Sequence, residues 1–286
     1  MVKVIDKYLI EAVKQDDFKL VLHFLNINAD IEVRDDKGNT PIFWVKSVEM
    51  LKLLIENRAR IDVLNRNGET PVMEMIDKKN AKCLKCLIEN GADLSLRNLD
   101  LTSPLCVAVK KDFKEGVRIL LDSGVEIDTD NKYGRTELMF AKSKEVQDML
   151  LEFGADVNVK DDMGKSLFDF VIENEGKVEL IENLLKKGKF SYEKDRLLEK
   201  ALQTAILNKY HREKAFRKED WEDGDKVIEC LIRNGGRIKS FDNIGVNFFD
   251  GVSAEGVKFV FDVYKKLKKD KMVSTFKGLR DKFLRR

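Results

Sequence analysis

Three prolines, two histidines, four cysteines and two tryptophans in 286 residues leave little material for several kinds of protein. With only His23 and His211, the commonest general base and metal ligand is almost missing. No phosphate loop, metal-ligand cluster or Ser/His/Asp set stands at a meaningful spacing, so no catalytic residue, cofactor or metal is expected. Long apolar runs are missing as well. The opening Met1-Val2-Lys3-Val4-Ile5-Asp6-Lys7 is too polar for a signal peptide, and no stretch nears the length of a membrane span. Cys83, Cys86, Cys106 and Cys230 fall at apolar positions of helical patterns. The Cys83-x-x-Cys86 pair has no second pair or histidine nearby, so buried reduced thiols are expected rather than a redox or zinc site. Such thiols imply a reducing, cytoplasmic setting.

What the chain does have is a repeat. One marker reads Gly38-Asn39-Thr40-Pro41, Gly68-Glu69-Thr70-Pro71, Leu101-Thr102-Ser103-Pro104, Gly134-Arg135-Thr136-Glu137 and Gly164-Lys165-Ser166-Leu167. A second reads Ala29-Asp30, Ala59-Arg60, Ala92-Asp93, Val125-Glu126 and Ala155-Asp156. Both advance by 30, 33, 33 and 30 residues, always nine apart, so length varies only in the helices between them. Such a period means stacked units, not one globular core. Glycine supplies the positive φ of a tight turn, Thr or Ser can cap the helix that follows, and all three prolines sit just inside that helix. Longer helices such as Met50–Ile55 and Val117–Leu121 follow and run into Asn90-Gly91, Ser123-Gly124, Phe153-Gly154 or Asn234-Gly235, where glycine can end a helix in the left-handed conformation.

On these residues the chain resembles the ankyrin-repeat family, most closely from Gly68 to Leu96 and at Gly154-Ala155-Asp156-Val157-Asn158. The resemblance covers residues 1–266. It implies an all-α solenoid of helix-turn-helix units joined by β-hairpin loops, whose concave side binds another protein. The organisation read from it is an N-terminal capping repeat (1–34), five repeats (35–190), an irregular repeat with a charged insertion (191–240) and a last repeat (241–270), followed by a basic amphipathic helix (271–286).

Two units, Thr40 to Ala59 and Thr136 to Ala155, are three residues short, nearly one helical turn. In the irregular unit, 23 residues separate Ala205 from Ile228 where 9 separate Ala108 from Val117; the excess is the charged stretch 209–225 with Tyr210, His211, Phe216 and Trp221. It reads as a lengthened helix and loop or as a protruding contact element. From Lys265 onward, ten Lys or Arg and two Asp leave a balance of +8, against −6 for residues 1–264. Val273, Phe276, Leu279, Phe283 and Leu284 share one helical face there, as expected of a terminal cap. The alternative is a regulatory adaptor docking on nucleic acid or acidic membrane through this tail.

The resemblance also assigns a contact set: the two residues before each turn glycine and the one after it. These are Asp36, Lys37 and Asn39; Arg66, Asn67 and Glu69; Leu99, Asp100 and Thr102; Lys132, Tyr133 and Arg135; Asp162, Met163 and Lys165. Three adjacent tips carry large apolar residues, Leu99, Tyr133 and Met163, with Leu101 in place of the turn glycine. Packing of one tip on the next would explain single apolar residues. A row rimmed by Lys132, Arg135 and Lys165 instead suggests an apolar anchor for a protein with acidic edges, bound by a monomeric scaffold.

Overall fold

The computed structural model describes residues 4–174, 178–188 and 224–234, with 258 and 262 singly. The chain divides into two compact units after Ala155. The first described elements of the first unit are two packed helices, α1 (Val4–Gln15) and α2 (Phe18–Asn26). Four more repeats of the first unit follow the same plan: a 3-10 helix Pro41–Trp44 with α3 (Val48–Glu56), α4 (Pro71–Asp77) with α5 (Ala81–Glu89), α6 (Pro104–Lys110) with α7 (Lys114–Asp122), and a 3-10 helix Glu137–Phe140 with α8 (Lys144–Glu152). First helices pack on first helices, and α3, α5, α7 and α8 pack in sequence behind them. Within the first unit the core runs between repeats, so each buries its apolar stripe on its neighbours. Leu54, Leu87, Leu120 and Leu150, each five residues before the second marker, are wholly buried. The adjoining Leu53 and Leu151, which the Leu-Leu pairs suggest are equally deep, are half-buried.

The three missing residues come out of the first helices. Where α4 and α6 have seven residues, the short units keep only a four-residue 3-10 turn. This corrects the expected caps. Thr70 and Ser103 do accept from the amides of Met73 and Cys106, at 3.3 and 3.1 Å. Thr40 and Thr136 make no such bond. In the tighter helix the equivalent amides, of Phe43 and Met139, bond the carbonyls of Thr40 and Thr136 at 3.0 and 3.2 Å, leaving no donor for the hydroxyl. The Thr40 hydroxyl is buried without a partner.

The second unit holds α9 (Leu167–Asn174), α10 (Val178–Lys187) and α11 (Gly224–Arg233), with α10 packed on both others. Ser166 and Asp169 cap α9 reciprocally: the Asp169 amide donates to the Ser166 hydroxyl and the Ser166 amide to the Asp169 carboxylate. The helix expected near Val227-Ile228 starts at Gly224, so the end of the 209–225 insertion already belongs to α11. The rest of that insertion, the expected last repeat and the basic tail lie outside the described residues, apart from Lys258 and Asp262. No helix among the described residues is long and apolar enough to cross a membrane.

Candidate partner-binding surface

Each tip is organised by an Asp or Asn three residues before the turn position: Asp35, Asn65, Asn98, Asn131 and Asp161. Its Oδ1 accepts two backbone amides, as at Asn131 from Tyr133 (2.9 Å) and Arg135 (3.2 Å), or at Asp35 from Lys37 (2.8 Å) and Asn39 (2.9 Å). Its own carbonyl accepts the amide of the turn residue, at 2.8 to 3.0 Å in all five. The loops therefore close as turns; among the described residues the only strand-like pairing at a tip is the isolated bridge between Lys160 and Ser166. Asp and Asn fit here because a short acceptor can reach amides two and four residues on. The mapped contact set leaves this position out, although the same residue class stands there in every tip.

Within the first unit the tips are also tied to one another. The amides of Arg66, Leu99 and Lys132 donate to the carbonyls of Lys37, Asn67 and Asp100 in the preceding tips, at 3.0, 3.1 and 3.2 Å. Arg34 and Arg97 donate from their guanidinium groups to Leu64 and Asp130 carbonyls of the next. This close stacking is what glycine serves at Gly68: φ is +72°, and an added Cβ would come 2.9 Å from the Leu99 nitrogen. In the third tip Leu101 stands at that position with φ +55°.

The structure separates the mapped residues. Asp36, Lys37, Arg66, Asn67, Leu99, Asp100, Lys132, Tyr133, Asp162 and Met163 are exposed. The residue after the turn is not a projecting one: Asn39 and Thr102 are buried, and Glu69, Arg135 and Lys165 half-buried. The reason is the ladder that closes the loop, in which that residue's carbonyl accepts the amide four residues earlier and draws it toward the base. Leu99 is 73%, Leu101 51%, Tyr133 50% and Met163 74% exposed. Leu99, Leu101 and Tyr133 lie on neighbouring tips of the first unit; Met163 and Lys165 belong to the second. The Tyr133 ring is flanked by two cations, Lys132 Nζ at 5.1 Å and Arg135 Cζ at 5.3 Å from its centroid. Lys132 Nζ also reaches Asp100 Oδ1 at 2.5 Å; this partner holds the Asp100 carboxyl below its ordinary range and raises the Lys132 ammonium. Arg66 has no side-chain partner among the described residues.

Below the two central tips lies a buried acid. Glu137 is fully buried, its Oε1 accepting the hydroxyls of Ser103 (2.9 Å) and Thr129 (2.5 Å), while Oε2 has no partner. Burial, with Asp128 adding like charge, pushes its carboxyl above the ordinary range, against the lowering by Thr129, its own backbone amide and Ser103; Glu137 in turn helps to raise the Cys106 thiol. An acid whose folded pKa is raised contributes most below its unfolded value, and that contribution is lost as pH rises through the folded value. Glu137→Gln should therefore raise the melting temperature at pH 7, with the gap closing toward pH ~4, where the unfolded acid also holds its proton. A gap that does not change with pH in thermal melts would show that the fold does not favour the neutral acid.

The thiols behave as structural side chains. Cys83, Cys86, Cys106 and Cys230 are unpaired and buried, and burial pushes Cys83 and Cys230 up to about 11 and Cys106 to about 12. Thiols held so high carry little thiolate at neutral pH and are poor nucleophiles.

Repeated helix pairs joined by turns define a stacked-repeat protein. Residues 9–98 and 96–161 match the family described as ankyrin repeats (3 copies), and the chain belongs to that family. Among solved structures it is similar to the crystal structure of the ankyrin repeat domain of Bcl-3, a member of the IkappaB protein family, with 27% identity and a TM-score of 0.58 over 64% of this chain and 86% of that one. No curated protein matches it significantly. Ankyrin repeats are protein-interaction modules, and proteins built of them are typically non-enzymatic scaffolds.

Proposed function

We propose that this chain is a non-enzymatic, monomeric cytoplasmic scaffold that anchors one partner protein on the third and fourth tips. Leu99, Leu101 and Tyr133 form the apolar anchor, and Arg66, Lys132 and Arg135 favour a partner with acidic edges. Asp36, at the first tip, belongs to the wider contact set; Met163 and Lys165 stand on the second unit and are tested by themselves.

The observation that carries this reading is Leu101. Four tips hold glycine at this position with φ between +68° and +80°; here a leucine takes φ +55° and leaves half its surface in water. Left-handed backbone costs a residue with a Cβ on the order of 1 kcal/mol, and exposure of the side chain returns nothing to the free protein. A residue that breaks two local rules without a folding gain points to use at a surface. Leu101→Gly should therefore stabilise the fold by roughly 1 kcal/mol and weaken capture of the native partner. If stability rises and capture is untouched, the anchor does not include Leu101. Capture that survives this change but falls steeply with ionic strength would favour the basic tail instead.

A further inference from the structure

We infer that Glu137 is a positioning residue for the anchor: its Oε1 ties the base of the third tip to the base of the fourth and so holds Leu99 and Leu101 in register with Tyr133. The inference rests on the reading of those tips as the binding surface.

Ser103 follows directly on the third tip, after Leu101 and Thr102, and is already used as the cap of α6. Thr129 enters the fourth tip and Glu137 leaves it. A single oxygen accepts from both hydroxyls, so one buried side chain spans the junction. The other tips lack these two partners. Where Thr129 stands they have Val33, Val63, Leu96 and Val159; where Glu137 stands they have Pro41, Pro71, Pro104 and Leu167. Two otherwise apolar positions have thus become polar together, eight residues apart, and they bond each other's neighbourhood at the one junction that carries Leu99, Leu101 and Tyr133. The arrangement is costly as well as specific. It buries a carboxyl group and leaves Oε2 unsatisfied, a feature that calls for a compensating use. Above it, the Lys132 amide donates to the Asp100 carbonyl, and Lys132 Nζ bonds the Asp100 carboxylate. The tie at the base and these bonds at the rim fix the same pair of loops.

The chain's own repeats supply tolerated replacements: Glu137→Leu copies Leu167, and Thr129→Val copies Val33, Val63 and Val159. Amide hydrogen exchange on the full chain reads the result without any partner. In both variants the Lys132 amide should exchange about tenfold faster or more, as loss of buried hydrogen bonds allows local opening. The Arg66 and Leu99 amides, at the other tip junctions, should hold their rates. Glu137→Gln keeps an Oε1 acceptor and should leave the Lys132 amide protected. Unchanged exchange at Lys132 in Glu137→Leu and Thr129→Val would overturn the inference, and so would equal acceleration at all three amides. Capture of the partner is scored separately on Leu99 and Tyr133 variants. Retained capture there removes the binding reading, whereas the exchange data alone decide whether Glu137 holds the tips.

Discussion

Leu120→Ala should cost the first unit roughly 2–5 kcal/mol of unfolding free energy, the range for emptying a leucine site that cannot collapse. Leu120 is wholly buried on α7, and α7 packs on α5, α6 and α8, so the lost contacts face both neighbouring repeats. In a stacked array each repeat draws its stability from the interfaces on either side, and a cavity at this point weakens both. Urea denaturation measures the effect directly. Leu54, Leu87 and Leu150 occupy the same place in their units and should behave alike, whereas Leu151→Ala, at a half-buried site, should cost less. A loss under about 1 kcal/mol for Leu120→Ala would mean that the neighbouring helices close over the site.

Leu99→Ala combined with Tyr133→Ala should abolish capture of the native partner while leaving the melting temperature almost unchanged. Both side chains project into water and neither belongs to the core. Tyr133 gives up two cation contacts on the surface, which are worth little when solvated. In a bound state each anchor residue contributes about 2 kcal/mol or more, so losing two weakens binding roughly a thousandfold. Affinity capture with the full chain, set beside thermal melts of the same preparations, separates folding from binding. Met163→Ala made alone asks whether the tip of the second unit contributes. A folded double variant that still captures its partner would move the site elsewhere, and the 209–225 insertion would be tested next.

The repeat period, the helix pairs and the tip positions could be read without coordinates because they rest on local chemistry. Glycine marks the left-handed turns at Gly38, Gly68, Gly134 and Gly164, and again after helices at Gly91, Gly124 and Gly154. The apolar spacing of Leu54, Leu87, Leu120 and Leu150 marks the buried stripe. The exposed tip residues Leu99, Tyr133 and Met163 were legible for the same reason: they follow from their distance to the turn.

Other features depended on what lies across the fold. Shortening by three residues could have been absorbed in either helix; packing placed it in the first and converted it to a 3-10 turn, which silenced the Thr40 and Thr136 caps. Asn39 and Thr102 turned inward because closure of the loop draws the residue after the turn to its base. That Glu137 meets Ser103, 34 residues earlier, could not be read from spacing, since an acid at the first position of a helix most often faces solvent. Determined by the sequence itself were the unit, its count of residues and its turns, all set within a few bonds of one another. Decided only by the tertiary structure were the burial of particular polar groups and the register of adjacent tips, because both are fixed by atoms that the chain brings together from different repeats.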